Sequence, residues 1–202
     1  MKKIIALFTA LVLLVACLTG CGKTGSNGDA VQQEEELYSM VVFSKGSEYF
    51  NWTYAGFSDA AKAMGAHIKT ELVGPAEVDA AAEAKALEQL IAKKPNGIVV
   101  TSADSNTLIP SINKAISADI PVVGFDVASP ESNYLGFVGT DNYSFGCVAA
   151  DIAAELTGGT GEVAVLYVPG NVDLEKRLNG FKDTCAEKYP NLKVVAELKP
   201  RG

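Results

Sequence analysis

The residues best able to do chemistry in this chain sit just after short apolar runs. Ser44-Lys45-Gly46-Ser47-Glu48-Tyr49-Phe50 follows Val41-Val42-Phe43, and Thr101-Ser102-Ala103-Asp104 follows Ile98-Val99-Val100. Asp126-Val127 follows Val122-Val123-Gly124-Phe125, and Gly139-Thr140-Asp141-Asn142 follows the run from Tyr134 to Val138. The four groups supply hydroxyls, carboxylates, an amide and a pair of aromatic rings. Carboxylates accept from hydroxyls, amides donate and accept, and aromatic faces stack on the apolar side of a ring. That mixture suits a neutral, polyhydroxylated molecule.

Other chemistries lack their residues. There is no GxxxxGK[ST], and no GxGxxG after the first run, so a phosphate cradle is not expected. Gly158-Gly159-Thr160-Gly161 precedes a strand and reads as a helix stop followed by a turn. His67 stands in an apolar context and reads as structural, which leaves no Ser–His–Asp arrangement and no histidine-rich metal site. The four cysteines have no CxxC spacing, and Cys147 and Cys185 fall on helix faces as small buried hydrophobes rather than as a disulfide. The net charge of −7 repels phosphates, which argues against a nucleic-acid partner. Neither a cofactor nor catalysis is expected. The composition of the 202 residues, 48% hydrophobic and 20% charged, is that of a globular protein with one good core or two small ones.

The elements that must position these residues alternate. After the strand at Val41-Val42-Phe43, Tyr54, Phe57, Ala61 and Met64 recur at spacings of three and four, the period of a helix. A strand follows over 67–73, then a helix striped by Ala80, Ala84, Leu87 and Ile91 and stopped by Pro95-Asn96-Gly97. Ile109, Ile112 and Ile116 line the helix between the strands at 98–100 and 122–125. After Thr140 the rhythm resumes, with a helix carrying Phe145, Val148, Ile152 and Leu156 and a strand over 163–168. A helix with Leu174, Leu178, Phe181 and Cys185 and a strand over 192–196 complete the series. Continuous apolar strands alternating with amphipathic helices predict an α/β fold with parallel sheets. In such sheets ligands bind beyond the carboxyl ends of the strands, where the polar groups fall.

The N-terminus reads as an address. Met1-Lys2-Lys3 precedes an apolar run over 4–16, too short for a comfortable membrane span, and Leu18-Thr19-Gly20-Cys21 closes it. This is the pattern of a secretory signal peptide over 1–20. Its last four residues resemble the bacterial lipobox, which implies lipidation of Cys21 and attachment to a membrane surface without a spanning helix. Leu14-Val15-Ala16-Cys17 fits the same pattern, but the polar tether Gly22-Lys23-Thr24-Gly25-Ser26 begins right after Cys21. A flexible linker is expected over 21–37, a first lobe over 38–140 and part of a second over 141–202.

From about Tyr38 onward the loops, taken in order, resemble the type I periplasmic binding proteins of the ribose and galactose group. The resemblance rests on Tyr49-Phe50, Tyr54-Ala55-Gly56-Phe57, Ile120-Pro121-Val122-Val123 ending at Asp126, Gly139-Thr140-Asp141-Asn142-Tyr143, and Arg177 followed by Asn179-Gly180-Phe181. It implies two Rossmann-like lobes with parallel sheets that close on a sugar, and delivery of that sugar to the permease of an ABC importer. Tyr49 and Phe50 would sandwich the sugar ring. Ser47 would stand where ribose binders carry an asparagine. Asp126 would take two hydroxyls, Thr140 would make a hinge-side contact, and Arg177 would donate from the second lobe. Asp104 would rim the cleft. Val127 replaces an arginine of the ribose binders, which speaks against ribose itself. Family members continue for roughly another hundred residues, so the second lobe is expected to be incomplete. The resemblance further implies a monomer held at the outer face of a membrane. Two alternatives remain open at this point: a sugar-sensing lipoprotein that serves a membrane receptor, and a fragment with no function of its own.

Overall fold

The computed structural model describes residues 34–199. The signal peptide expected over 1–20, the lipidation expected at Cys21 and most of the linker lie outside the described residues.

Five parallel strands form the first sheet, in the order β2-β1-β3-β4-β5. They are β1 (Glu36–Val41), β2 (Ile68–Val73), β3 (Gly97–Val100), β4 (Val122–Phe125) and β5 (Gly136–Val138). Helices α1 (Glu48–Met64), α2 (Ala80–Ile91) and α3 (Ile109–Ser117) connect the first four strands. Strand residues alternate between faces, and the core divides accordingly. Val41, Ile98, Val100 and Val122 pack with Leu87, Leu90 and Ile112 of α2 and α3. Met40, Val42 and Phe125 pack with Phe50 of α1 on the opposite side. With both faces covered, the strands can be apolar almost throughout.

The first strand differs from its expected place. It covers Glu36–Val41 rather than 41–43, and so takes in the last two residues of the expected linker. Pairing decides this: Glu36 aligns with Ile68 and Val41 with Val73, so β2 sets the length of β1. A fully buried polar residue is tolerated within it because Ser39 Oγ donates to Glu71 Oε1 over 3.0 Å.

The second part begins with α4 (Asn142–Thr157) and continues through β6 (Gly161–Leu166), α5 (Val172–Lys188) and β7 (Leu192–Leu198). β6 and β7 pair in parallel as a two-stranded sheet. Helix α4 starts at Asp141, whose side chain accepts from Ser144 N. Helix α5 starts at Asn171, whose side chain accepts from Asp173 N and Leu174 N. Both are the ordinary solution for the unpaired amides of a helix start.

The apolar stripe of α4 does not face a core among the described residues. Phe145, Val148, Ile152 and Leu156 are exposed, whereas Gly146, Ala150 and Ala154 are buried. The small face is inside because α4 and α5 cross closely. A Cβ on Gly146 would meet the Arg177 carbonyl oxygen, and one on Gly180 would meet the Tyr143 carbonyl oxygen. Cys185 is buried in this packing, and it and Cys147 remain separate thiols.

Among the described residues no helix is long and apolar enough to cross a membrane, and no group of side chains could hold a metal ion. His67 sits at the sheet margin, with Nε2 3.8 Å from Glu36 Oε1.

Candidate functional site

The carboxyl ends of β1, β3 and β4 bring three polar loops to one edge of the first sheet. The residue after β4 is Asp126, with φ 60°. This left-handed conformation is uncommon outside glycine, and aspartate is among the side chains that tolerate it. Asp126 N still donates to Val138 O over 3.0 Å, so the backbone turns while remaining tied to β5.

Tyr49, in the first turn of α1, donates its hydroxyl to Asp126 Oδ1 over 3.0 Å. The residue is 53% exposed. Burial pushes the Asp126 carboxyl above its ordinary value, and the nearby charge of Asp173 adds to this; the Tyr49 hydroxyl, Arg177 and Thr101 pull it back. The Tyr49 phenol is itself raised, by burial first and then by Asp126. A carboxylate in such a setting gains from every added hydroxyl donor.

Phe50 does not share the exposure of Tyr49. It is 2% exposed and lies edge-on to Phe43, with ring centroids 4.8 Å apart, and to Phe125 at 6.3 Å. The expected pair of stacking rings is therefore one exposed ring backed by a core ring, 5.2 Å apart and inclined at 71°. Helix geometry dictates the division: Phe50, Tyr54 and Phe57 recur at the spacing of one face and join the same core.

Ser47 precedes α1 and is half-buried, and its side chain makes no capping hydrogen bond. Asp104 is committed elsewhere: Oδ1 accepts from Asn106 N at 3.0 Å and from Thr107 N and Thr107 Oγ1 at 2.8 Å. These bonds hold its carboxyl below the usual range, the Thr107 hydroxyl most of all. Asp104 thus shapes the turn before α3 through Oδ1, while Oδ2 faces Gly170. Thr140 is exposed, and its carbonyl accepts from Asn142 Nδ2 over 3.2 Å.

Arg177 on α5 donates through Nε to Asn142 Oδ1 over 3.1 Å, and Nη2 donates to the same oxygen. Its guanidinium lies 4.3 Å from the centroid of the Phe145 ring, a cation–π contact. The guanidinium is therefore fixed from two sides while its charge reaches Asp126. Of the expected site residues, Tyr49 and Asp126 are in direct contact, whereas Arg177 bonds Asn142 and acts on Asp126 through its charge alone.

Buried polar side chains near the carboxyl ends of β3 and β4 are bonded to one another and to backbone amides. Ser102 and Ser129 share a hydrogen bond of 2.7 Å, and Thr101 Oγ1 accepts from Val127 N over 3.3 Å. Glu83 on α2, fully buried, accepts from Ala103 N at Oε2 over 3.0 Å, while Oε1 has no partner among the described residues.

Residues 38–201 match the family model described as periplasmic binding protein domain. The chain belongs to that family. As a periplasmic binding protein domain, it is 28% identical over 186 residues to the xylitol-binding protein of Mycolicibacterium smegmatis, with 91% of this chain and 50% of that protein covered. It is 28% identical over 199 residues to the D-ribose/D-allose-binding protein of Pseudomonas aeruginosa, covering 93% and 60%. Among solved structures, a sugar-binding protein of a sugar ABC transporter from Bacillus halodurans is 40% identical, with a TM-score of 0.74 over 82% of this chain and 57% of that one. A carbohydrate transporter solute-binding protein from Agrobacterium radiobacter, in complex with D-arabinose, is 30% identical, with a TM-score of 0.76 over 83% and 58%. The α/β fold is that of the type I periplasmic binding proteins, as the resemblance implied. This periplasmic binding protein domain spans about half the length of the curated relatives it matches.

Two features of the domain were not among the expected site residues. A cavity of about 390 Å³ lies between α4, α5 and β6, walled by Gly146, Val165, Leu174, Leu178 and Phe181, with Arg177 at one side. The Tyr49–Asp126 pair lies outside it. The second feature is Asp173, which is buried and whose charge reaches Asp126. An acidic residue in the first turn of a helix ordinarily serves the helix dipole, so its type and place gave no separate signal.

Proposed function

We propose that this domain captures a neutral sugar or related polyol and presents it to the permease of an ABC importer, without catalysis. The solute sits between a first lobe over 38–140 and a second lobe that begins at 141. The observation that carries this reading is the Tyr49–Asp126 pair at the carboxyl edge of the first sheet, with Arg177 supplied from α5. Asp126 accepts sugar hydroxyls, Tyr49 covers the ring face, and Arg177 donates to a ring or hydroxyl oxygen. Ser47 and Thr140 border the solute with further hydroxyls. Val127, apolar and buried, offers no guanidinium fork beside Asp126, which favours solutes other than ribose.

The relatives' names support a sugar or polyol as the class. The lipobox pattern at Cys21 supports an anchor at the outer face of a membrane, where the domain acts as a monomer. Calorimetric titration with D-arabinose, D-ribose, D-galactose and xylitol tests the reading. Saturable binding of one of them, weakened by D126N, is the expected result. Silence across the panel, or preference for a sugar phosphate, would overturn it.

A further inference from the structure

Glu83 is a carboxyl group with almost nothing to satisfy it. It lies in the first turn of α2 and has no exposed surface. Oε2 accepts from Ala103 N over 3.0 Å, and Oε1 has no partner among the described residues. An ionised carboxylate offers about four acceptor sites, and one bond does not repay its removal from water. The folded chain therefore favours the neutral acid, and burial pushes the group up to about 8.

Neighbouring charges do not offset the burial. Helix α2 packs on β1, β2 and α3, whose charged groups are engaged elsewhere. On β1, Tyr38 donates to Glu36. On β2, Glu71 accepts from Ser39 and Lys93, and Lys69 lies 3.9 Å from Glu35. Lys114 of α3 lies 3.6 Å from Glu88 of α2. Asp79 caps α2, Lys85 is exposed, and Asp104 is held by Asn106 and Thr107. Among the described residues none of these is bonded to Glu83.

The one bond that Glu83 makes falls on the loop between β3 and α3. Just before Ala103 stand Thr101, whose Oγ1 accepts from Val127 N over 3.3 Å, and Ser102, which shares its 2.7 Å bond with Ser129. Thr101 also steadies the ionised form of Asp126. Glu83 thus holds the backbone whose hydroxyls hold the loop of Asp126. The start of α2 is tied twice over, because Ala82 N donates to Asp79 Oδ1 and Glu83 N donates to Asp79 O, both over 2.9 Å. When Glu83 ionises and draws in water, the loop is the part that yields.

We infer that Glu83 is a positioning residue for solute binding: its buried carboxyl anchors the loop after β3 through Ala103 N, and ionisation of that carboxyl at alkaline pH loosens the loop and weakens the hold on the solute. The inference rests on the reading of a solute site around Asp126. Glu83 acts through the loop, since no part of it reaches the surface.

Methyl relaxation of the whole chain without any solute tests the anchor. Between pH 6 and 9 the methyl groups of Thr101 and Ala103 are expected to lose order, with a midpoint near pH 8. Those of Val41 in β1 and Val122 in β4 stay rigid. E83Q keeps an acceptor for Ala103 N and cannot ionise, so its loop stays ordered throughout. Unchanged order in the unaltered chain, an equal loss in β1 and β4, or the same loss in E83Q overturns the anchor. Should E83Q fail to fold, the unaltered chain decides: a loss confined to the loop and centred near pH 8 supports the anchor, and a flat profile overturns it.

Titration with D-arabinose, D-ribose and xylitol then separates the two ideas. One pH unit above 8 leaves about a tenth of Glu83 neutral, so affinity at pH 9 is expected to be about tenfold weaker than at pH 6. E83Q binds equally at both. Asp126 and Tyr49 are present in both chains, so their own titration cancels from the comparison. If no sugar binds at pH 6 while the loop methyls still respond, the anchor stands and the solute reading falls. If a sugar binds the unaltered chain equally at pH 6 and 9, the role of Glu83 in binding falls.

Discussion

The hydroxyl of Tyr49 donates to Oδ1 of Asp126 over 3.0 Å, joining the first turn of α1 to the residue that leaves β4. The loops after β1 and β4, with only β3 between those strands, thereby share one carboxylate. Removing only the hydroxyl isolates this contact. Y49F is expected to weaken sugar affinity about tenfold, the worth of one hydrogen bond to a charged group. Its thermal stability should stay near that of the unaltered chain, because Tyr49 is an exposed residue. Calorimetry and a thermal melt read the two effects separately.

Phe50 should behave in the opposite way. It is 2% exposed within the aromatic cluster on the α1 side of the sheet. F50A is expected to cost about 3–5 kcal/mol of stability, whereas Y49A costs far less. Urea unfolding of the two variants checks the contrast. A similar loss in both would mean that Tyr49 also serves the core.

Glu83 gives the domain a stability slope with pH. Burial pushes its carboxyl from 4.5 up to about 8, against the pull of the Ala103 amide. The folded chain holds Glu83 neutral between these values while the unfolded chain ionises it. The contribution to stability is therefore complete below about pH 4.5 and is lost as pH rises toward about 8. The loss is on the order of a few kcal/mol. E83Q keeps an acceptor for Ala103 N and cannot ionise, so it should flatten the slope. Urea midpoints measured between pH 5 and 8.5 test this, and equal slopes in both chains would rule it out.

The crossing of α4 and α5 should tolerate no added methyl group. A Cβ on Gly180 would collide with the Tyr143 carbonyl oxygen, and one on Gly146 with the Arg177 carbonyl oxygen. G180A is expected to cost about 1–3 kcal/mol by overpacking. It should also move Arg177 away from Asn142 and so lower sugar affinity, as melts and titrations would show.

Much of the fold was legible in the sequence because the central strands β3 and β4 are buried on both faces and are therefore continuously apolar. Val122–Phe125 is the clearest case, and it led directly to Asp126. β1 was read too late in the chain because Glu36 and Ser39 interrupt the apolar signal, and only pairing with β2 makes them strand residues. The stripe on α4 is present as written, but close helix packing chose the glycine and alanine face instead. In the site, Tyr49 and Asp126 follow from their places after strands. The burial of Phe50 was also readable, from its helical spacing with Tyr54 and Phe57. Asp173 was not, because its partner is a backbone amide 45 residues earlier, and a backbone amide has no sequence signature.

The glycine crossing has a mechanical consequence. With Gly146 set against Arg177 and Gly180 against Tyr143, α4 and α5 must travel as one stiff lever. Asn142, Asp173 and Arg177 are carried on these two helices together. Damage to any of the three then loosens the same movement. Double-mutant cycles among them should be strongly non-additive, the second substitution finding much of the harm already done by the first.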